Sequence, residues 1–313
     1  MAAPSLPVGT GVAVDEELQL SKVTFWTRLR RHKLAITGLV VLALMVLAAV
    51  FAKQLAPFDP NAIDNVHWQG TPLPPCFQEA AQCGGHPLGT DEVGRDLLSR
   101  LLFGARISLA VGLSAVAIEV IIGTILGAIA GYYGGWIDYW LMRLTDVFLS
   151  IPALPLLLVL TAIVAASSTK ASLSFGVIVI LIGALAWPAV ARLVRASFLT
   201  LREREFAEAA RAVGNNDGRI IFRHLLPNAV APIVVQATLD VAGVIITEST
   251  LSFLGLGIQP PTASWGNMLA NAQSNLSIAW WAAVFPGLCI LVTVLSINYI
   301  GDGLRDALDP NIG

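Results

Sequence analysis

The chain has 313 residues, of which 56% are hydrophobic and only 13% are charged, whereas soluble domains carry roughly 25% charged residues. Its formal net charge is −2 and its mean hydropathy is +0.73. So few charges cannot cover the surface of a water-soluble protein of this size. This composition excludes a conventional soluble enzyme, a disordered chain and a nucleic-acid binder that relies on bulk positive charge. We therefore predict an all-α membrane protein.

Six segments are apolar and long enough to cross a bilayer, since a spanning helix needs about 20 mostly apolar residues. A helix also satisfies its own backbone hydrogen bonds in lipid. The predicted spans are residues 34–52, 107–130, 144–166, 174–193, 229–257 and 278–300. The third and fifth have the least distinct ends. Residues 107–300 make up the predicted transmembrane core.

The basic residues set the predicted orientation, because cytoplasmic segments of membrane proteins carry an excess of Lys and Arg. With the N-terminus inside, only five of the 19 basic residues fall in outer segments. Both termini are therefore predicted to be cytoplasmic. Residues 1–33 would form a tail that ends in an interfacial amphipathic helix over 22–33, and residues 301–313 would form a C-terminal tail.

The segment 53–106 is the longest predicted extracytoplasmic loop, and its many prolines favour an ordered but irregular cap. Cys76 and Cys83 both lie in this loop and could form a disulfide in an oxidising compartment. Metal binding with the nearby His67 and His86 is the alternative, although the spacing matches no zinc pattern.

The end of this loop carries leucines at helical spacing, at positions 97, 98, 101 and 102. They predict either a helix lying on the outer membrane face or a simple N-terminal extension of the second span. Both interpretations fit the pattern.

No catalytic motif is present in the sequence. A nucleotide-binding P-loop requires Gly-Lys followed by Ser or Thr, and no lysine of this chain follows a glycine. The four histidines lie outside the predicted spans, and no pair has metalloprotease spacing. We expect a non-catalytic chain that holds no metal and no cofactor itself.

Three acidic residues fall well away from the ends of the predicted spans, and such residues are functional candidates by default. They are Glu119, Asp240 and Glu248. Asp240 and Glu248 share one helix, where protonation or interhelical hydrogen bonding is one interpretation and a place on a translocation path is the other. Proton coupling through Glu119 is a further, weaker hypothesis.

A run of glycines spaced four apart closes the second span, at Gly123, Gly127, Gly131 and Gly135. Small residues at this spacing let a neighbouring helix approach closely. We predict that they pack against another helix.

The cytoplasmic loop 200–228 predicts two short helices joined by a sharp turn. The first would place apolar residues on one face, with Arg204 and Glu208 elsewhere; these apolar residues are Phe206, Ala209, Ala210 and Val213. Gly214 suits the left-handed position that ends a helix. Asn216 or Asp217 would cap a second helix over 218–226, closed by Pro227. Such a knob fits a groove on a partner protein, whereas the adjacent spans leave little room to reach DNA.

Several strings resemble one family. Glu208-Ala209-Ala210, then Gly214 and a stretch ending in Leu226-Pro227, is similar to the EAA loop of permease subunits of bacterial ABC importers. Segments 89–109, 127–138, 246–266 and 301–310 resemble the oligopeptide and dipeptide branch of that family. Two departures are His224, where the family often has an apolar residue, and the insert with the two cysteines.

The resemblance implies the type I ABC importer permease fold and a division of labour in the cytoplasmic membrane. Such a chain would form half of a pore with a second homologous permease, surrounded by lipid. Two cytoplasmic ATPase subunits would bind ATP and Mg²⁺, and an extracytoplasmic binding protein would deliver the peptide. The implied ATPase-coupling residues are Arg204, Phe206, Glu208, Ala209, Ala210, Val213, Gly214, Leu226 and Pro227.

Other functions stay open at this point. Glutathione, nickel or a small sugar are alternative substrates within the same family. An ion-coupled secondary transporter is an alternative of another class, but the internal repeat typical of such folds is not evident. A purely structural membrane scaffold is a third class.

Overall fold

The computed structural model describes residues 27–30, 32–167 and 175–308, and over these residues the chain is helical without a strand. The predicted tail before residue 27, most of the interfacial helix over 22–33 and residues 309–313 lie outside the described residues. The helices are α1 (Lys33–Val50), α2 (Ala52–Leu55), α3 (Leu97–Tyr133), α4 (Gly135–Ser150), α5 (Ala153–Ser167), α6 (Phe175–Leu201), α7 (Glu205–Ala212), α8 (Asp217–Ile220), α9 (Leu226–Phe253), α10 (Trp265–Ala272) and α11 (Trp280–Leu308).

Five helices of the described chain are long and apolar enough to cross a membrane, or six if the bent pair α4–α5 counts as one span. They are α1, α3, α6, the run from α8 through α9, and α11. The predicted span over 144–166 is not a single helix, because α4 and α5 meet at an angle of 83°. Pro152 explains the break: a proline disfavours helical backbone in the residue before it, and Ile151 is extended.

Two helices are longer than the apolar runs that predicted them. α3 begins at Leu97, capped by the Asp96 carboxylate, which accepts a hydrogen bond from the Ser99 N–H at 2.7 Å. The leucine-rich segment is therefore an extension of the second span and not a separate helix. α11 continues to Leu308, so the predicted C-terminal tail from 301 is helical as far as the described residues reach.

α3 and α6 pack closely along a stripe of glycines. A Cβ added to Gly123 would lie 2.6 Å from the Val190 Cβ, and one added to Gly131 would lie 2.6 Å from the Phe198 Cβ. Gly127 faces the same helix just as tightly. Gly135 does not belong to this stripe, because the chain turns after α3 and leaves nothing within 4 Å of its Cβ position.

The loop before α3 folds into an ordered cap, residues 56–96, which is fixed to the membrane helices. We call it the outer cap after the side of the membrane that the sequence predicts for it. The Trp281 indole N–H on α11 donates to the Thr90 carbonyl at 3.2 Å, and the Arg100 Nε on α3 lies 3.3 Å from the Asp91 carboxylate. Within the cap, Cys76 is bonded to Cys83, with their Cα atoms 4.9 Å apart. These elements hold the cap as one unit above the helices.

A histidine–carboxylate cluster lies inside the outer cap. His86 lies between Asp96 (2.9 Å) and Asp64 (3.2 Å), and His67 also bonds Asp64 at 2.8 Å. Burial raises the pKa of Asp64, but hydrogen bonds from His67, the Val66 N–H and His86 outweigh it and hold this pKa below its usual range. Among the described residues, no group of three or more His, Cys, Asp or Glu side chains is arranged so that it could hold a metal ion.

Candidate functional site

The loop 200–228 forms a knob whose sharp turn follows from its sequence. α7 starts with Glu205 and Glu208 in its first turn, where acidic side chains favour the positive end of the helix. At its end the Gly214 N–H bonds the Arg211 carbonyl and the Asn215 N–H bonds the Ala210 carbonyl. This pattern requires a left-handed residue, and Gly214 supplies it with φ of +82°.

The second half of the knob differs from the prediction. The Asn216 side chain caps α8 by accepting from the Arg219 N–H at 2.9 Å, as the sequence indicated. However, the chain then passes through one π-helical turn, Ile221–Leu225, directly into α9. Pro227 lies in the first turn of α9 rather than closing a helix, because the first turn of a helix does not need the N–H that proline lacks.

The predicted apolar face of α7 is divided between the interior and solvent. Phe206 is 39% exposed and Val213 is 84% exposed, and Ala209 is exposed with them. Ala210 is only 7% exposed and packs, together with Ala207, in the core around Phe198 and Leu225. The prediction that these four residues share one helical face is therefore wrong for Ala210, which lies on the buried side of α7 with Ala207, three positions earlier.

The remaining coupling candidates differ in their exposure. Arg204 and Glu208 are exposed, Leu226 is half-buried and Pro227 is exposed. Phe222, which sequence reasoning missed, lies in the π-helical turn and is 69% exposed. The sequence signal for it was a phenylalanine beside the basic residue Arg223 in a loop predicted to protrude.

The knob is also fastened to the end of α3, a contact that the sequence did not predict. The Tyr132 hydroxyl donates to the Asp217 carboxylate at 2.7 Å, and the Arg211 guanidinium lies 5.9 Å from the centre of the Tyr132 ring. At the end of α6, Arg202 donates to the carbonyls of Gly131 and Tyr132, at 3.1 and 3.2 Å. A displacement of the knob therefore acts on α3 as well as on the adjoining α6 and α9.

Glu248 is a structural anchor within the helical bundle. It is fully buried on α9 and accepts hydrogen bonds from Ser252 at 2.7 Å and from Ser108 of α3 at 3.3 Å. The Ser108 oxygen in turn accepts from the Trp265 N–H that begins α10, at 3.3 Å. This geometry favours the hydrogen-bonding interpretation of Glu248 over a place on the path.

Glu119 and Asp240 meet at a different place, inside the bundle. They come from α3 and α9 and both line a cavity of about 280 Å³. The Gln236 amide donates to Asp240 Oδ1 at 2.9 Å. The structure thus brings together Glu119 and Asp240, which lie on different helices. Glu248 is not among the residues that line this cavity.

Comparison with known families decides the identity of this arrangement. Residues 123–313 match the family model described as the binding-protein-dependent transport system inner membrane component. The chain belongs to this family of permeases. Residues 23–75 of the permease additionally match the N-terminal TM domain of oligopeptide transport permease C.

Curated relatives cover almost the whole permease. It is 43% identical to the di/tripeptide transport system permease protein DppC of Pseudomonas aeruginosa, over 92% of this chain and 91% of the relative. It is 44% identical to the dipeptide transport system permease protein DppC of Escherichia coli, over 92% of each chain. The glutathione transport system permease protein GsiD of Escherichia coli is 42% identical, over 92% of this chain and 90% of the relative.

A solved structure supports the fold. A chain from an inward-facing structure of the MetNI methionine ABC transporter superposes with a TM-score of 0.52 at 19% identity, over 67% of the permease and 97% of that chain. The predicted type I ABC importer permease fold is confirmed. Membership of this family implies ATPase and binding-protein partners for a membrane-embedded transport subunit.

Proposed function

We propose that this permease forms half of a heterodimeric pore that carries di- and tripeptides into the cytoplasm. The observation that carries the proposal is the 43–44% identity, across 92% of the chain, to permeases of dipeptide and di/tripeptide transport systems. A second homologous permease would complete the pore. An extracytoplasmic binding protein would present the peptide above the outer cap.

The energy would come from outside this chain. Two cytoplasmic ATPase subunits would bind ATP and Mg²⁺, and each would receive one knob in a surface cleft. The exposed face of Phe206, Ala209 and Val213 supports this assignment, because apolar side chains on a short exposed helix suit a groove on a partner. In this arrangement the knob and both termini would lie on the cytoplasmic side. The permease itself would be non-catalytic and without a cofactor.

Glutathione, which is itself a tripeptide, is the second candidate substrate, because a relative of 42% identity belongs to a glutathione transport system. It requires no change in the proposed mechanism. The binding protein and the translocation path would determine whether the complex transports di- and tripeptides or glutathione.

The deciding experiment reconstitutes the permease with its partner permease, the ATPases and the binding protein in liposomes. Uptake of labelled dipeptide, tripeptide and glutathione is measured with ATP on the side of the knob. We expect uptake that requires ATP, the binding protein and both permeases. Uptake by the permease alone under an ion gradient, or the absence of any peptide uptake by the full complex, would refute the proposal.

A further inference from the structure

We propose that Glu119 and Asp240 form a binding site, within the membrane-spanning part of the permease, for the N-terminal ammonium group of the passing peptide. This inference deepens the proposed function and rests on it, since it assigns one chemical group of the substrate to two named side chains.

The two carboxyl groups share an otherwise apolar cavity. It lies between α3, α5, α6 and α9, and its volume is about 280 Å³. Glu119 lines it from α3 and Asp240 lines it from α9. Among the described residues that line the cavity no others are charged, and apart from Thr247 the rest are apolar. The Thr247 hydroxyl donates to the Gly243 carbonyl of its own helix at 2.9 Å.

Each carboxyl group has an oxygen with no donor. Glu119 is 2% exposed, and its Oε2 receives no hydrogen bond from any described residue. Oδ2 of Asp240 is likewise buried without a donor. A buried polar atom without a partner is costly, and two neighbouring carboxylates repel each other. A proton shared by the two carboxyl groups satisfies one of these oxygens, whereas a positively charged group that donates several hydrogen bonds satisfies both. An ammonium group has three N–H donors and satisfies both carboxyl groups at once.

The position of the pair along the two helices indicates that the cavity faces the translocation path. Glu119 and Asp240 lie near the middle of the apolar parts of α3 and α9. Asp240 is half-buried and the adjacent Gly243 is exposed, so the cavity opens at the surface of this chain. Charged groups at mid-depth face a water-filled cavity or another protein and avoid lipid. We infer that the opening faces the pore.

The ligand chemistry matches the substrate of the proposed function. Every unmodified peptide carries an N-terminal ammonium group, whatever its side chains are. One acidic pair therefore serves peptides of different sequence. The cavity is slightly smaller than typical ligand pockets of roughly 300–1,000 Å³, and so accommodates the end of a peptide rather than the whole molecule.

The first test uses the full complex in liposomes with the variants Glu119→Gln and Asp240→Asn. Asp302→Asn is the matched control, because it makes the same chemical change at an exposed position on α11. We expect Glu119→Gln and Asp240→Asn to lower dipeptide uptake at least about tenfold, the effect of losing one hydrogen bond to a charged group. The control should stay within about twofold of wild type.

ATP hydrolysis stimulated by the loaded binding protein is measured on the same samples. It should be unchanged in both variants, because the site acts on the peptide and not on the ATPase. Wild-type uptake by both variants would overturn the inference. So would a loss of uptake matched by an equal loss of assembly and ATP hydrolysis, since that result assigns the pair a structural role. A wild-type complex that transports no peptide refutes the proposed function instead.

A second test needs no transport. Dicyclohexylcarbodiimide is an apolar reagent that modifies carboxyl groups in apolar surroundings, and mass spectrometry locates the adduct. We expect labelling at Glu119 or Asp240 in the purified complex. A dipeptide should reduce this labelling, and its N-acetylated form, which lacks the ammonium group, should not. Absence of labelling, or equal labelling with both peptides, would overturn the inference.

Discussion

Replacing Ala209 with glutamate should weaken the binding of the ATPase without destabilising the permease. The same change at Ala210 should instead destabilise the permease itself. The two residues are adjacent in sequence, but Ala209 is exposed and Ala210 is 7% exposed in the core beneath α7. One substitution at two neighbouring positions therefore tests which face of the knob docks.

The magnitudes follow from burial. A glutamate at 209 remains solvated in the free permease, so the free energy of unfolding should change by about 0.5 kcal/mol or less. In the docked state its carboxylate loses its hydration and gains no hydrogen-bond donor in return, which costs about 2 kcal/mol or more. At about 1.4 kcal/mol per tenfold change in affinity, the ATPase should bind at least roughly 30-fold more weakly.

A glutamate at 210 places the same carboxylate against Phe198 and Leu225 in the core of the chain itself. The cost of about 2 kcal/mol or more is then taken from the free energy of unfolding. Co-purification of the ATPase and unfolding in a denaturing detergent titration measure the two quantities separately. An Ala209→Glu permease that retains the ATPase in wild-type amounts would refute the assignment of the docking face.

Three further predictions concern other contacts. Tyr132→Phe removes the hydroxyl that donates to Asp217 and should slow ATP-driven uptake a few-fold, by about 1 kcal/mol of coupling, while ATPase co-purification stays normal. Gly127→Ala should lower the free energy of unfolding by about 1–3 kcal/mol through overpacking against α6, as measured by detergent unfolding. Because the folded-state pKa of Asp64 is lowered, its contribution to the outer cap is complete above the unfolded pKa of about 4 and is lost as pH falls below it. Hydrogen exchange of residues 56–96 between pH 7 and pH 3 measures this loss.

Each of these predictions has a contrary result. Normal uptake by Tyr132→Phe would show that the α3 contact transmits nothing. Gly176→Ala is the control for Gly127, because nothing lies within 4 Å of its Cβ position, and equal losses in both variants would contradict the packing argument. An outer cap whose exchange protection rises as the pH falls would contradict the sign derived for Asp64.

Much of the candidate site could be predicted from local sequence. The Gly214 turn needs a left-handed residue at one position, and Asn216 caps the helix that follows. Both signals lie within a few residues of the structure they produce. The glycine stripe of α3 was identified for the same reason, with Gly135 as the exception, because the end of a helix is less sharply encoded than its interior.

The sequence by itself determined that this chain is a membrane permease with long apolar helices and a protruding knob between two of them. Those properties depend on run length, composition and turn chemistry, which are local. Only the tertiary structure decided that Ala210 faces inward and that Tyr132 holds the knob to α3. It also brought Glu119 and Asp240 together across two helices. These contacts join residues distant in sequence, and helical periodicity gives the direction of a side chain without identifying the neighbour that it meets.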